Sequence, residues 1–217
     1  MSLNAYIDHT NLAPDASEDD IRTLCDEARK HRFAAVCVNP VWVHRAVEHL
    51  KGTDVAVCSV VGFPTGAHLA SIKLREAKRA LNCGATEIDT VINISALKAH
   101  DYNAVRADIE PLAILVHEKG AKLKVILETA LLTPDEIILG CKWAEEFGAD
   151  FVKTSTGMLK GENMGATVPV VALMRATVKP ETGVKASGGI RDRATAEAMI
   201  KAGATRLGTS ASVDIVS

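Results

Sequence analysis

The sequence lacks several features that would each indicate a particular class of protein. Only 4% of its 217 residues are aromatic, and no apolar stretch approaches the ~20 residues that span a bilayer. Lys and Arg total 25 against 27 Asp and Glu, so the basic excess of a nucleic-acid-binding protein is missing. No linker, charge block or low-complexity segment divides the chain. We therefore expect one domain, residues 1–217, that binds neither nucleic acid nor membrane.

The sequence also lacks the residue spacings of a disulfide framework or a zinc site. Its five cysteines are odd in number and form no C-x-x-C pair, and its seven histidines form no H-x-x-x-H or H-x-H pair. The N-terminus has no basic segment followed by an apolar run, as a signal peptide would have. These absences predict a protein without bound metal in the reducing cytoplasm.

A recurring Gly-Ala step follows helix-like stretches and precedes apolar runs. It occurs at Gly84, Gly120, Gly148 and Gly203. Glycine suits the left-handed conformation in which many helices end. A repeated unit of helix, glycine and strand indicates alternating β and α elements, and so a parallel sheet.

Short apolar runs predict eight strands with seven helical patterns between them and a short helix after the last. The predicted strands are Tyr6–Asp8, Ala34–Val38, Val55–Val61, Glu87–Ile92, Leu123–Leu127, Asp150–Lys153, Gly183–Ala186 and Arg206–Gly208. Eight is the number that closes a (β/α)₈ TIM barrel, so we predict this α/β fold, with loops short enough to fit 217 residues. A doubly wound sheet is the rival, but no glycine-rich fingerprint follows the first strand.

Local signals support the predicted helices. Residues 17–20 and 133–136 have the pattern of a capping box, and Asn39-Pro40 resembles a cap followed by a first-turn proline. Pro111 lies inside an apolar helical stripe, where it should kink the helix or delay its start.

Three charged residues lie at or near the carboxyl ends of predicted strands, where barrel enzymes place their chemistry. They are Asp89, Lys153 and Lys185. Strands six and seven are neighbours in a barrel, so the two lysines would be close, and each cation disfavours protonation of the other amine. An uncharged lysine is a nucleophile toward carbonyls, and Asp89 could move protons. Taken singly, each residue also fits a surface lysine or a turn aspartate.

Three turns rich in Gly, Ser and Thr follow strands six, seven and eight, at residues 154–157, 187–189 and 208–210. Small residues leave backbone N–H groups accessible, and barrels often bind phosphate after strands seven and eight. One such turn alone is usually only a tight turn. Cys37 ends strand two, where a buried apolar role is favoured, and Lys124 could face the barrel mouth or the outside. His9, His68 and His100 are interpreted as structural or surface groups.

At these residues the sequence resembles the deoxyribose-phosphate aldolase family over nearly the whole chain. The matching motifs are residues 6–10, 35–40, 61–66, 87–89, 151–157, 184–191 and 208–210. The resemblance implies a class I aldolase barrel without a cofactor. Such an enzyme reversibly cleaves 2-deoxy-D-ribose 5-phosphate to acetaldehyde and D-glyceraldehyde 3-phosphate, and assembles as a dimer or tetramer.

The resemblance also implies roles for individual residues. Lys153 would form the Schiff base, Lys185 would be the second lysine that favours its free amine, and Asp89 would be the general acid/base. The residues implied in substrate and phosphate binding are Asp8, Thr10, Cys37, Thr156, Gly157, Gly188, Gly189 and Ser210.

The sequence departs from some family members in two places. Ala211 stands where some have a second serine, and the chain ends at Ser217 where some carry a tail with a terminal tyrosine. Three other functions stay open: a Schiff-base aldolase for a different sugar phosphate, a cofactor-free sugar-phosphate isomerase, and a barrel that only binds sugar phosphates.

Overall fold

The computed structural model describes residues 2–161 and 164–217, and in this part of the chain eight parallel strands form a closed barrel in the order β1 to β8. The strands are β1 Ile7–Asn11, β2 Ala35–Val38, β3 Ala56–Val61, β4 Glu87–Val91, β5 Lys122–Ile126, β6 Phe151–Lys153, β7 Gly183–Ser187 and β8 Arg206–Thr209. β1 pairs with both β2 and β8, which closes the sheet. The predicted (β/α)₈ barrel is confirmed.

Helices cover the outside of the barrel and bury its outer face. They are α1 Glu18–His31, α2 Val43–His49, α3 Ala70–Asn82, α4 Ile94–Lys98, α5 Tyr102–Glu118, α6 Pro134–Glu146, α7 Val168–Thr177, α8 Arg193–Lys201 and α9 Ser212–Val216. A continuous apolar core lies between this layer and the strands. No helix within the described ranges is both long and apolar enough to cross a membrane.

The predicted local signals mostly have the expected geometry. Both capping boxes form, at Ser17 and at Thr133. The four glycines of the Gly-Ala steps all have positive φ, between 66° and 110°, which a side chain would strain. Each therefore ends a helix and turns the chain into the next strand.

The structure differs from the predictions at four elements. β1 begins at Ile7, because Tyr6 ends a short 3₁₀ helix, and it continues to Asn11. Pro40 begins another 3₁₀ helix rather than α2, and the Asn39 side chain caps neither. Pro111 does not delay the start of α5, which begins at Tyr102, capped by the Asp101 side chain. The extra helix α4, capped by Asn93, was not predicted.

Candidate active site

The interior of the barrel contains a cluster of charged side chains that point inward from six strands. Its members are Asp8, Glu87, Asp89, Lys124, Lys153, Lys185 and Arg206, and none has a side chain more than 11% exposed. Glu87 and Asp89 are two residues apart on β4 and therefore share a face of the sheet. Lys153 and Lys185 are register partners on β6 and β7, so the predicted proximity of these two strand positions is confirmed.

Asp89 is the centre of this cluster. One of its oxygens accepts a hydrogen bond from Lys124 at 2.8 Å, and the other accepts from Lys153 at 2.7 Å and from Lys185 at 2.8 Å. Lys124, whose orientation the sequence left open, is thus fully buried inside the barrel. Three lysine side chains thus donate to one carboxylate, and hydrogen bonds to an ionised acceptor are shorter and stronger than neutral ones.

The charges hold one another ionised in spite of their burial. Burial by itself would raise the pKa of Asp89, but Lys124, Lys153 and Lys185 more than offset it, so the pKa lies well below the usual value. For Lys185, burial favours the neutral amine, but Asp8 and Asp89 reverse that effect and raise the pKa. Lys185 is therefore a permanent cation beside Lys153.

Above the cluster, a cavity of about 670 Å³ opens at the carboxyl ends of the strands. Seven of the sequence-derived site residues line it: Thr10, Lys153, Thr156, Gly157, Gly188, Gly189 and Ser210. Lys153 belongs both to this wall and to the buried cluster. Its amine is consequently the point at which a molecule in the cavity meets the charged interior.

Four of the expected site residues do not line the cavity. Asp8, Asp89 and Lys185 are fully buried and do not line it, and Asp89 is bonded to Lys153, which does. Cys37 is also fully buried, in a small apolar group with Leu12 and Cys58. The Cys37 and Cys58 sulfurs and an Asp89 oxygen lie within 4.8 Å of one another, but the lysines on Asp89 oppose a metal cation there.

The glycine turns along the cavity present backbone donors. Gly157, Gly188 and Gly189 have φ of 80°, 83° and 78°, so their turns depend on glycine. The backbone N–H groups of Gly157, Gly189 and Ser210 donate no hydrogen bond to any part of the chain in residues 2–161 and 164–217. Backbone N–H groups without a partner in the chain are able to bind an anion, and these three residues line the cavity.

Glu128 is a buried carboxylate that the sequence did not reveal. It follows β5 with left-handed backbone angles, φ 55° and ψ 60°, which a non-glycine residue rarely adopts. Its carboxylate accepts from both the backbone N–H and the hydroxyl of Thr156. Since the Thr156 hydroxyl donates its only proton to Glu128, it can only accept a hydrogen bond from a molecule in the cavity.

His9 points out of the barrel, and its hydrogen bonds connect β1 to the turn between β8 and α9. Its two ring nitrogens lie 2.8 Å from the Ser212 hydroxyl and 2.7 Å from a Glu27 oxygen. The Ser212 hydroxyl also donates to the Thr209 carbonyl at 3.1 Å. His9 thus supports the turn that contains Ser210, and it also lines the cavity.

A closed parallel barrel with a buried cluster of lysines and carboxylates, and with a cavity at the carboxyl ends of its strands, is the architecture of a barrel enzyme. A family model described as "DeoC/LacD family aldolase" matches residues 3–215, and the chain belongs to that family.

Individual relatives agree with this assignment. A deoxyribose-phosphate aldolase of Brevibacillus brevis is 54% identical over 216 residues, covering 100% of this chain and 96% of the relative. One of Thermococcus gammatolerans is 56% identical over 218 residues, with the same coverage. The solved tetrameric deoxyribose phosphate aldolase of Aeropyrum pernix has 37% identity and a TM-score of 0.89, covering 99% of this chain and 89% of that one.

Proposed function

We propose that this protein reversibly cleaves 2-deoxy-D-ribose 5-phosphate to acetaldehyde and D-glyceraldehyde 3-phosphate, with Lys153 as the Schiff-base nucleophile. The observation that carries the proposal is the position of the Lys153 amine. It lies on the cavity wall and is also 2.7 Å from the buried carboxylate of Asp89. Family membership, and the activity named for the relatives, support this reaction.

The first stage forms a covalent imine. The free Lys153 amine attacks C1 of the open-chain aldehyde, and the carbinolamine loses water to give a protonated imine. A protonated imine withdraws electrons more strongly than the parent aldehyde and so prepares the neighbouring C2–C3 bond for cleavage.

The second stage breaks the C2–C3 bond. Removal of the proton from the C3 hydroxyl lets that oxygen form the carbonyl of D-glyceraldehyde 3-phosphate, while the bond's electron pair passes to the imine and gives an enamine. Protonation at C2 and hydrolysis then release acetaldehyde and restore Lys153. Asp89 is the general acid/base in this scheme, moving protons between Lys153 and the substrate.

The phosphate group would lie at the turns after β6, β7 and β8. The N–H groups of Gly157, Gly189 and Ser210, which donate no hydrogen bond within residues 2–161 and 164–217, support this placement. Thr10 and Thr156 line the same cavity and are the candidates for contacts to the sugar hydroxyls. An anchor remote from the breaking bond orients the reacting carbons over Lys153.

Two further features belong to the proposal. The tetramer of the Aeropyrum pernix relative supports a homo-oligomer here as well. The five cysteines are all free thiols, which favours a reducing, cytoplasmic location.

The test is peptide mass spectrometry after mixing the protein with 2-deoxy-D-ribose 5-phosphate and sodium borohydride in the presence of a chelator. We expect a reduced adduct on the peptide that contains Lys153, lost in Lys153→Ala and retained in Lys122→Ala, which removes an exposed lysine at the start of β5. Substrate consumption by an unmodified protein would exclude the imine route and favour an isomerase. Neither adduct nor turnover would indicate a binding protein or a different substrate.

A further inference from the structure

Glu128 is a buried carboxylate that has no part in the scheme above. It is 2% exposed, and it is not among the residues that line the cavity. Burial raises the pKa of its carboxyl group, so the surroundings disfavour the charged form. Its left-handed backbone also costs energy for a residue other than glycine. A buried acid on such a backbone indicates a role that offsets both costs.

The hydrogen bonds of Glu128 fix the turn that follows β6. Its carboxylate accepts from the backbone N–H of Thr156 at 3.3 Å, and the N–H of Met158 donates to the Thr156 hydroxyl oxygen at 3.1 Å. The N–H of Gly157, between these two, donates no hydrogen bond within residues 2–161 and 164–217. Of the three successive N–H groups, only that of Gly157 is therefore left for a ligand.

The same contacts determine what the Thr156 hydroxyl offers to the cavity. A hydroxyl has one proton to donate and two lone pairs that accept. The proton of Thr156 is donated to Glu128, and one lone pair accepts from Met158. One lone pair remains, and Thr156 lines the cavity. A phosphate oxygen, which only accepts, cannot bond to it, whereas a ligand hydroxyl can donate to it.

We propose that Glu128 is a positioning residue that makes the Thr156 hydroxyl a pure acceptor, so that the site selects a ligand with a hydroxyl group next to its phosphate-bearing carbon. Thr156 and Gly157 are neighbours in the chain, so a phosphate at the Gly157 N–H lies beside the Thr156 oxygen. In 2-deoxy-D-ribose 5-phosphate the selected group is the C4 hydroxyl. The inference rests on the proposed function, because it uses the phosphate position proposed above.

A second carboxylate with the same bonding pattern provides a matched control. Glu145 accepts from the backbone N–H of Lys179 at 2.8 Å and from the hydroxyl of Thr182 at 2.6 Å. Thr182 precedes β7, at the end of the barrel opposite the cavity, and neither Glu145 nor Thr182 lines the cavity. Glu145→Gln therefore shows what the loss of such a carboxylate does to the fold alone.

The test measures the binding of three phosphate monoesters that have no carbonyl group. 2-Hydroxypropyl phosphate, in the enantiomer that matches D-glyceraldehyde 3-phosphate at its hydroxyl carbon, can donate a hydrogen bond. 2-Fluoropropyl phosphate of the same configuration offers only an acceptor, and propyl phosphate offers neither. Isothermal titration calorimetry gives the Kd of each ester, and the ratio of two Kd values measures the selection.

This measurement separates Thr156 from the other partner of Glu128. Lys153 is close enough to oppose the raised pKa of Glu128, so a change at Glu128 also alters the surroundings of the proposed nucleophile. The esters form no imine, and an altered charge near Lys153 acts on all three through the same phosphate group. Such an effect cancels in the ratio of their Kd values.

We expect the parent to bind the hydroxyl ester about tenfold more tightly than the fluoro ester, as for one hydrogen bond gained. In Glu128→Gln the amide can donate to the Thr156 oxygen, the hydroxyl proton turns to the cavity, and the preference should fall to about twofold or less. Thr156→Val should abolish the preference, and Thr156→Ser should retain it. Glu145→Gln should leave it at about tenfold.

Glu128→Gly suits the left-handed backbone and also removes the acceptor, so it replaces Glu128→Gln if that variant does not fold. A preference of about tenfold in both Glu128 variants would overturn the proposal. So would equal Kd values for the three esters in the parent, or a loss in Glu128→Gln that is as large for propyl phosphate as for the hydroxyl ester.

The outcome also distinguishes this inference from the proposed function. A folded parent that binds none of the three esters would overturn the phosphate position and this inference together. Binding with a ratio that does not depend on Glu128 would overturn the inference alone. The expected ratios in a protein that does not cleave 2-deoxy-D-ribose 5-phosphate would support the inference and overturn only the proposed reaction.

Discussion

Two groups of buried ionic side chains in this barrel differ in how their charges are compensated. Lys73 on α3 and Asp108 on α5 form a pair at 2.8 Å, and the remaining hydrogen bonds of the pair go to the backbone at Val91 and Asn93. The pair contains one charge of each sign and lies away from the cavity. The interior cluster has more members and shares its carboxylates.

The pKa shifts of the two groups have opposite signs. In the pair, burial dominates: it lowers the pKa of Lys73 and raises that of Asp108, so both groups shift toward the neutral form. In the cluster, multiple partners reverse the effect of burial, and the pKa falls at Asp89 and rises at Lys185. Burial of a lysine is therefore no sign of chemistry by itself. The distinguishing features are shared partners and access to a cavity.

The sharpest test of this difference exchanges one carboxylate in each group for its amide. Asp89→Asn removes the proposed proton-transfer group and should lower kcat for 2-deoxy-D-ribose 5-phosphate cleavage on the order of a thousandfold. Asp108→Asn leaves Lys73 buried without its counter-ion and should lower the free energy of unfolding by about 3 kcal/mol. The kcat of Asp108→Asn should stay within about twofold of the parent, because neither Lys73 nor Asp108 lines the cavity.

Both variants are measured for initial rate at saturating substrate and for urea-induced unfolding. A kcat of Asp89→Asn close to that of the parent would show that Asp89 is not the general acid/base. A large loss of kcat in folded Asp108→Asn would show that the two groups are coupled and that the comparison is mistaken.

The sequence predicted the parts of the site that depend on strand order and turn composition. Lys153 and Lys185 could be placed side by side because parallel strands six and seven must be neighbours in a barrel, and the glycine turns marked one end of the cavity. The orientation of Lys124 could not be predicted, because both faces of a strand in a barrel are buried, and the sequence alone does not say whether the face with Lys122 and Lys124 or the face with Leu123 and Val125 points inward.

Other members of the cluster gave no usable signal. Glu87 and Arg206 are the first residues of their strands, where charged side chains are usually solvated, and only the stagger of the closed barrel brings them together. Glu128 depends on a left-handed backbone that its residue type does not predict. The positions of Glu87, Arg206 and Glu128 thus depend on long-range geometry, which the sequence does not show, whereas the strands and turns follow from local sequence patterns.

The carboxylates also predict how acid weakens the cluster. Burial alone would raise the pKa of Asp8, but Lys185 and Arg206 lower it from 3.8 to about 2. A lowered folded-state pKa stabilises the fold fully above about pH 4, and this stabilisation, about 2 kcal/mol, is lost as the pH falls toward 2. Asp8→Asn should be less stable than the parent at neutral pH, and the difference should shrink through that window.

The measurement is urea unfolding of parent and Asp8→Asn at a series of pH values. Asp108→Asn is the matched control, because it replaces a buried carboxylate outside the cluster. A difference in the free energy of unfolding between parent and Asp8→Asn that stays constant down to pH 2 would contradict the prediction that Asp8 is ionised in the cluster.

The smallest effect is expected at the glycine turns, where two left-handed glycines can be compared. A Cβ on Gly188, which has φ 83°, would lie 2.9 Å from the Gly165 Cα, so Gly188→Ala must open the turn beside the cavity. We expect KM for 2-deoxy-D-ribose 5-phosphate to rise about tenfold with kcat little changed, as for lost uniform binding. Gly120→Ala, at φ 66° with no atom within 4 Å, should only lower the free energy of unfolding by about 1 kcal/mol. The increase in KM caused by Gly188→Ala should vanish for free 2-deoxy-D-ribose, because that sugar has no phosphate for the turn to bind. An equal increase in KM for both sugars would place the phosphate elsewhere.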